Sequence, residues 1–129
     1  MNAKISQCTG MYIAHPTSSV PKSIYKAKHY KTRVNDQHTK VGITEHSFES
    51  SERRYTSNFN GEVKFIPLSL IDSEDLKRTE KIVLCAISKH FKKVGHSREW
   101  FNTNNRQKLR KIIIDTLKEN RIQYEPANG

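Results

Sequence analysis

The sequence predicts an α+β domain: a small three-stranded antiparallel sheet flanked by helices, with a long basic insert between its first two strands. Three observations predict it. Apolar residues gather in a few short periodic segments instead of being spread along the chain. Those segments read strand, insert, strand, helix, strand, helix, helix, the order of one sheet with helices packed on it. A length of 129 residues suits a single domain with one modest core.

Residues 8–14, Cys-Thr-Gly-Met-Tyr-Ile-Ala, read as the first strand, closed by His15-Pro16. Residues 15–37 mix Pro, Ser, Lys and Tyr with neither helical nor strand periodicity and read as a long loop or arm, and the basic insert spans 15–39. Thr39 to Thr44 is the second β-rich run. Residues 48–58 form a short polar helix with serines available as caps. Glu62 to Leu70 is the third strand. Pro67 has no N–H to give a ladder, which places it at an edge or beside a bulge. Asp72-Ser73-Glu74-Asp75 opens a helix, with a capping side chain and acids at the positive end of its dipole. That helix runs to about Phe91, and Gly95 follows it. Leu109, Ile112, Ile113 and Leu117 stripe a last helix over 104–120, and residues 121–129 read as a flexible tail.

The charge narrows the partners. Twenty-three Lys plus Arg against thirteen Asp plus Glu give a net +10, a field that attracts a polyanion. No apolar run is long enough to span a bilayer, and no signal-peptide core follows Met1. Nucleic acid is therefore favoured over membrane. Cys8 and Cys85 are too few and too far apart for a disulfide framework, and the six histidines have no zinc-ligand spacing. Packed free thiols are expected.

Side chains alternate across a strand. Met11 and Ile13 share one face of the first strand and Tyr12 takes the other. Val41 and Ile43 share a face of the second, leaving Lys40, Gly42 and Thr44 opposite. Pairing the apolar faces puts Tyr12 and Lys40 on the same side of the sheet. A cation near a phenol favours the phenolate, although a packed tyrosine and a solvated lysine account for the same pattern. On the long helix Leu76, Val83, Ile87 and His90 or Phe91 define a stripe, and Glu80 falls within it. A carboxylate there needs a metal, a cation or strong hydrogen bonds. Arg53 and Arg54, on the short helix beside Tyr55, offer planar forks that fit phosphate oxygens or simply a solvated face. From Pro21 to Lys40 the insert holds Lys22, Lys26, Lys28, Lys31, Arg33 and Lys40 against Asp36 alone, a net +5. Tyr25 and Tyr30 are interleaved among them. Basic and aromatic residues in that mixture can follow a phosphate backbone and stack on bases.

With these parts in order, a resemblance emerges. Gly10-Met11-Tyr12 resembles the first element of the GIY-YIG nuclease superfamily, and Lys40-Val41-Gly42 resembles the second. An arginine on the first helix (Arg54, or its neighbour Arg53), a glutamate on a later one (Glu80) and the closing segment Glu99-Trp100-Phe101 follow. Lysine in the second element together with that closing segment is similar to the branch common in phage and mobile elements. The likeness spans roughly residues 10–101, and the stretch between the two elements is longer than the family usually has.

The resemblance implies a metal-dependent DNA endonuclease that nicks one strand per active site. Glu80 would hold one Mg²⁺ or Mn²⁺, Tyr12 (kept partly deprotonated by Lys40 or the metal) would activate water, and Arg54 would clamp the scissile phosphate. Gly42 would allow close approach, and Asn102 or Asn104 could hydrogen-bond nearby. Lys22, Lys26, Lys28, Lys31, Arg33 and Arg53 would bind duplex DNA. The setting implied is the cytoplasm of a bacterial or phage-infected cell. A monomer would nick, and a double-strand break would need a dimer or two events. Nothing reads as a helix-turn-helix or zinc finger, so weak or short-site specificity is expected. Two other readings use the same residues: a catalytically silent DNA-binding module of this fold, and a basic RNA- or ribosome-associated protein.

Overall fold

The computed structural model describes residues 3–27, 30–95, 97–103 and 105–127, and for 3, 25–27, 30 and 31 the backbone path alone. The elements in chain order are α1 (Ala3–Ser6), β1 (Gly10–Pro16), β2 (Lys22–Ala27), β3 (Tyr30–Val34), β4 (His38–Thr44) and α2 (Phe48–Asn58). Then come β5 (Val63–Leu70), a 3₁₀ turn (Ser73–Asp75), α3 (Leu76–Ser88), β6 (Trp100–Asn102), α4 (Arg106–Glu119) and β7 (Glu125–Pro126).

The α+β class holds, and the sheet has five strands where three are expected. Its order is β6-β4-β1-β5-β7, and every adjacent pair is antiparallel. The three strands legible in the sequence are its centre. The two additional edge strands have three and two residues, too short to display a period of two. Residues 121–127 return to the sheet edge: Glu125 pairs with Leu70, and Ala127 N–H donates to Leu68 O at 3.1 Å.

The insert is no irregular arm. Its middle forms a two-stranded sheet of its own, β2 on β3, with Lys22 opposite Val34, Ser23 opposite Arg33 and Ile24 opposite Thr32. The base is anchored in the core by Val34 and Thr32, both buried. β3 does alternate, Tyr30, Thr32 and Val34 against Lys31 and Arg33, but over five residues only, and β2 blurs the pattern by placing Lys22 and Lys26 in phase with Ile24.

Alternation on the central strands makes two cores. Met11, Ile13, Val41 and Leu68 pack beneath Leu76, Val83 and Ile87 of α3 and Leu109, Ile113 and Leu117 of α4. Tyr12, Ala14 and Trp100 pack on the opposite face with Val34 and with Phe48, Tyr55 and Phe59 from the α2 segment. β6 serves both: Trp100 joins the second cluster and its neighbour Phe101 the first. Burying each of these large apolar side chains contributes roughly 1.5–3 kcal/mol.

Local details follow the chemistry. Ser47 Oγ caps α2 by accepting from Ser50 N–H at 3.1 Å, and Asn105 Oδ1 caps α4 by accepting from Lys108 N–H at 3.0 Å. The expected side-chain cap before α3 is absent: neither Asp72 nor Asp75 bonds a helix N–H through its side chain. Pro67 sits beside a bulge, since β5 pairs Ser69 with Met11 but Pro67 with Tyr12, leaving Leu68 as the extra residue. Gly10 lies where β1 meets β5 most closely. A Cβ there would stand 1.9 Å from Ser69 O, so only glycine lets the strands approach.

Candidate active site

The face of the sheet opposite the helix pair α3–α4 carries an open cavity of about 790 Å³. Register fixes its floor. Tyr12 stands opposite Gly42 and Ala14 opposite Lys40, so Tyr12, Lys40 and Gly42 share one side of the sheet, as alternation requires. The cavity lining also includes Arg54 and Tyr55 from α2, Glu80 from α3, and Glu99 and Trp100 at β6. The four residues expected to act, Tyr12, Lys40, Arg54 and Glu80, come from β1, β4, α2 and α3 and meet in this one cavity.

Gly42 has no room for a side chain. A Cβ on it would lie 2.6 Å from Tyr12 Oη and 2.8 Å from Cζ, so the phenol lies across the glycine. Tyr12 is wedged further by Phe65, with ring centroids 4.6 Å apart, and by Tyr55, edge-on at 5.7 Å. Its hydroxyl is 3.0 Å from that of Tyr55.

The electrostatics differ from expectation in one respect. Lys40 is nearly buried and forms an ion pair with Glu99. Burial pushes the Tyr12 phenol well above its usual range, and the charge and hydroxyl of Tyr55 push the same way. Arg54 pulls it down, by charge and by hydrogen bonding, but burial outweighs that pull and the resting phenol is neutral. Lys40 lies opposite Ala14, two residues along β1 from Tyr12. Tyr55 is raised as well, by burial first, with the Tyr12 hydrogen bond and Arg54 opposing.

The structure separates the two arginines. Arg54 lines the cavity, with its guanidinium 5.3 Å from the centre of the Tyr55 ring. Arg53 points to solvent and pairs with Glu49 one turn earlier. On α3 the stripe is Leu76, Thr79, Val83 and Ile87, so Thr79 occupies the buried place and Glu80 lies half-buried beside it, at the cavity. His90 is exposed. β6 pairs with β4 from His38 to Lys40 only, and the cavity lining extends past the end of that pairing to Ile43 and Glu80.

The residues expected to bind DNA divide. Lys22 lines the cavity and lies over Phe59, 5.3 Å from the ring centre. Arg33 is exposed on β3 and Arg53 on α2. Lys26 and Lys31 are placed as backbone of β2 and β3. Lys28 and Asn104 lie outside the described residues. Asn102 is exposed and lies outside the cavity lining. Cys85 is exposed, not packed. Ser51 and Asn58 line the cavity and escape a motif-based reading. Their signal is helical spacing: Ser51, Arg54, Tyr55 and Asn58 recur on one face of α2.

Among the described residues no three His, Cys, Asp or Glu side chains converge, so an all-protein metal cage is not built. Mg²⁺ commonly uses one or two carboxylates and completes its shell with phosphate oxygens and water. A half-buried Glu80 at the wall of an open cavity fits that mode.

No family model, curated protein or solved structure matches the chain. Among the described residues no helix is long and apolar enough to cross a membrane.

Proposed function

We propose that this chain is a metal-dependent DNA endonuclease of the GIY-YIG type, hydrolysing one phosphodiester per active site. The observation that carries the reading is the convergence of Tyr12, Lys40, Arg54 and Glu80, drawn from four elements, on one open cavity. Its setting supports the substrate class. The net charge is +10, and the base of the basic hairpin β2–β3, through Lys22, Ser23 and Ile24, forms part of the cavity wall. A phosphate backbone held by that wall would run over the sheet face.

Hydrolysis brings water to a centre that is already anionic, so cations must offset charge that builds in the transition state. Arg54 offers a fork for non-bridging phosphate oxygens and Lys40 a second positive charge. Glu80 would hold Mg²⁺ or Mn²⁺, which when bound neutralises charge on the phosphate and on the departing 3′ oxygen. Water forms the new P–O bond, the bond to the 3′ oxygen breaks, the water proton passes to the deprotonated Tyr12 oxygen, and the departing 3′ oxygen takes a proton from solvent. Tyr12 must first lose its own proton against the bias of burial, so cleavage should accelerate as pH rises.

That same bias favours the second reading, a DNA-binding module whose phenol stays neutral. Incubating the protein with supercoiled plasmid separates the two. Nicking that requires Mg²⁺ or Mn²⁺ supports the nuclease; retention of DNA with no cleavage at any pH supports the module.

A further inference from the structure

We propose that Glu99 is a positioning residue for Lys40, fixing its ammonium group in the cavity where the scissile phosphate lies. This rests on the nuclease reading above and adds a residue that its chemistry does not otherwise use.

Lysine carries a point charge on a flexible four-carbon stem, so a lysine that must act at one place needs something to hold it. Glu99 is built to do so. Its backbone carbonyl accepts from Val41 N–H at 2.9 Å, tying it to the residue next to Lys40. Ser97, itself buried, accepts through Oγ from the N–H groups of Glu99 at 3.2 Å and Trp100 at 3.1 Å. Trp100 O accepts from Val94 N–H at 2.9 Å, and the Trp100 ring is buried against Phe59 with centroids 6.1 Å apart. Glu99 thus stands between a buried serine turn and a buried indole, and its carboxylate meets Lys40 at the cavity wall.

Stability alone does not explain the pair. The Lys40 side chain is 9% exposed and that of Glu99 23%. Desolvating two charges to that degree largely cancels their attraction, so a hydrophobic pair would serve the fold as well. A carboxylate in a cavity that must accept DNA also repels the substrate. Its placement makes sense if orienting Lys40 outweighs that repulsion.

The sign of this trade-off gives the test. Wild type, Glu99→Gln, Glu99→Asp, Lys40→Met and Lys40→Met/Glu99→Gln are compared on a fluorescent duplex with Mn²⁺, after thermal melts establish that each is folded. The expected result for Glu99→Gln is a kcat at least tenfold lower with KM unchanged or reduced, because one negative charge has left the binding surface. Glu99→Asp recovers part of the rate, and the double variant is no slower than Lys40→Met alone. A Glu99→Gln variant with wild-type kcat overturns the proposal. So does a loss that persists undiminished in the Lys40→Met background, which would give Glu99 a role of its own. Wild-type protein that cuts nothing overturns the nuclease reading and this inference together, whereas a wild type that cuts beside an unaffected Glu99→Gln overturns the inference alone.

Discussion

The two faces of the central sheet are made by alternate residues of the same strands, yet they hold different kinds of matter. Met11, Ile13 and Val41 point into an apolar core beneath α3 and α4. Tyr12 and Lys40 line an open cavity together with Gly42, Arg54, Glu80 and Glu99. The first face is apolar and filled; the second joins a buried aromatic cluster that includes Tyr12 to charged groups at the cavity. A strand of period two can serve stability on one side and chemistry on the other without either compromising its neighbour. Substitutions should therefore sort by face.

The largest expected effect is on the filled face. Ile113→Ala, at a fully buried position on α4, should cost about 3 kcal/mol of stability, within the usual range for such truncations. Cleavage per folded molecule should stay near wild type, and chemical denaturation with parallel nicking assays checks both. Gly42→Ala is its counterpart on the open face. The new methyl must displace the Tyr12 ring, whose hydroxyl lies 2.6 Å from it, and displacements of about an ångström can cost roughly 10²-fold in rate. Its melting temperature should change far less than that of Ile113→Ala.

Arg54→Ala should slow cleavage by about tenfold or more, since charge-assisted contacts to phosphate contribute on the order of 1.5–3 kcal/mol. Arg53→Ala, which removes a solvent-facing partner of Glu49, should stay within about threefold. Equal losses in the two would erase the distinction drawn between them.

The smallest effect concerns pH. Burial raises the Tyr12 phenol in the folded state, so above about pH 10 the unfolded chain releases a proton that the folded chain keeps. Stability should then fall as pH rises through that range. Tyr12→Phe should make the decline shallower, as read from denaturation midpoints between neutral and alkaline pH. An unchanged slope would mean that the phenol is not held neutral.

How much was legible beforehand follows the same division. Alternation alone placed Tyr12 and Lys40 on one side and Met11, Ile13 and Val41 on the other, because register on a half-buried sheet is strongly determined. It could not show that Lys40 lies opposite Ala14 and pairs with Glu99, since ion pairs are settled by three-dimensional reach. Pro67 announced its bulge through a missing N–H. The hairpin β2–β3 is hard to read because β3 alternates over five residues only and β2 sets Lys22 and Lys26 in phase with Ile24, and β6 and β7 because they are too short to alternate. Spacing puts Glu80 within the apolar stripe, whereas in the packed helix Thr79 takes the buried place and Glu80 lies half-buried beside it.

The central claim, that the open face performs metal-dependent hydrolysis while the filled face only supports it, is tested most directly on supercoiled plasmid with and without Mg²⁺ or Mn²⁺. Wild type, Glu80→Ala and Ile113→Val would be compared at matched folded concentration. The account predicts metal-dependent nicking by wild type and Ile113→Val, and none by a Glu80→Ala protein that melts as wild type does. Metal-dependent nicking that survives in Glu80→Ala, or its absence in wild type, would contradict it.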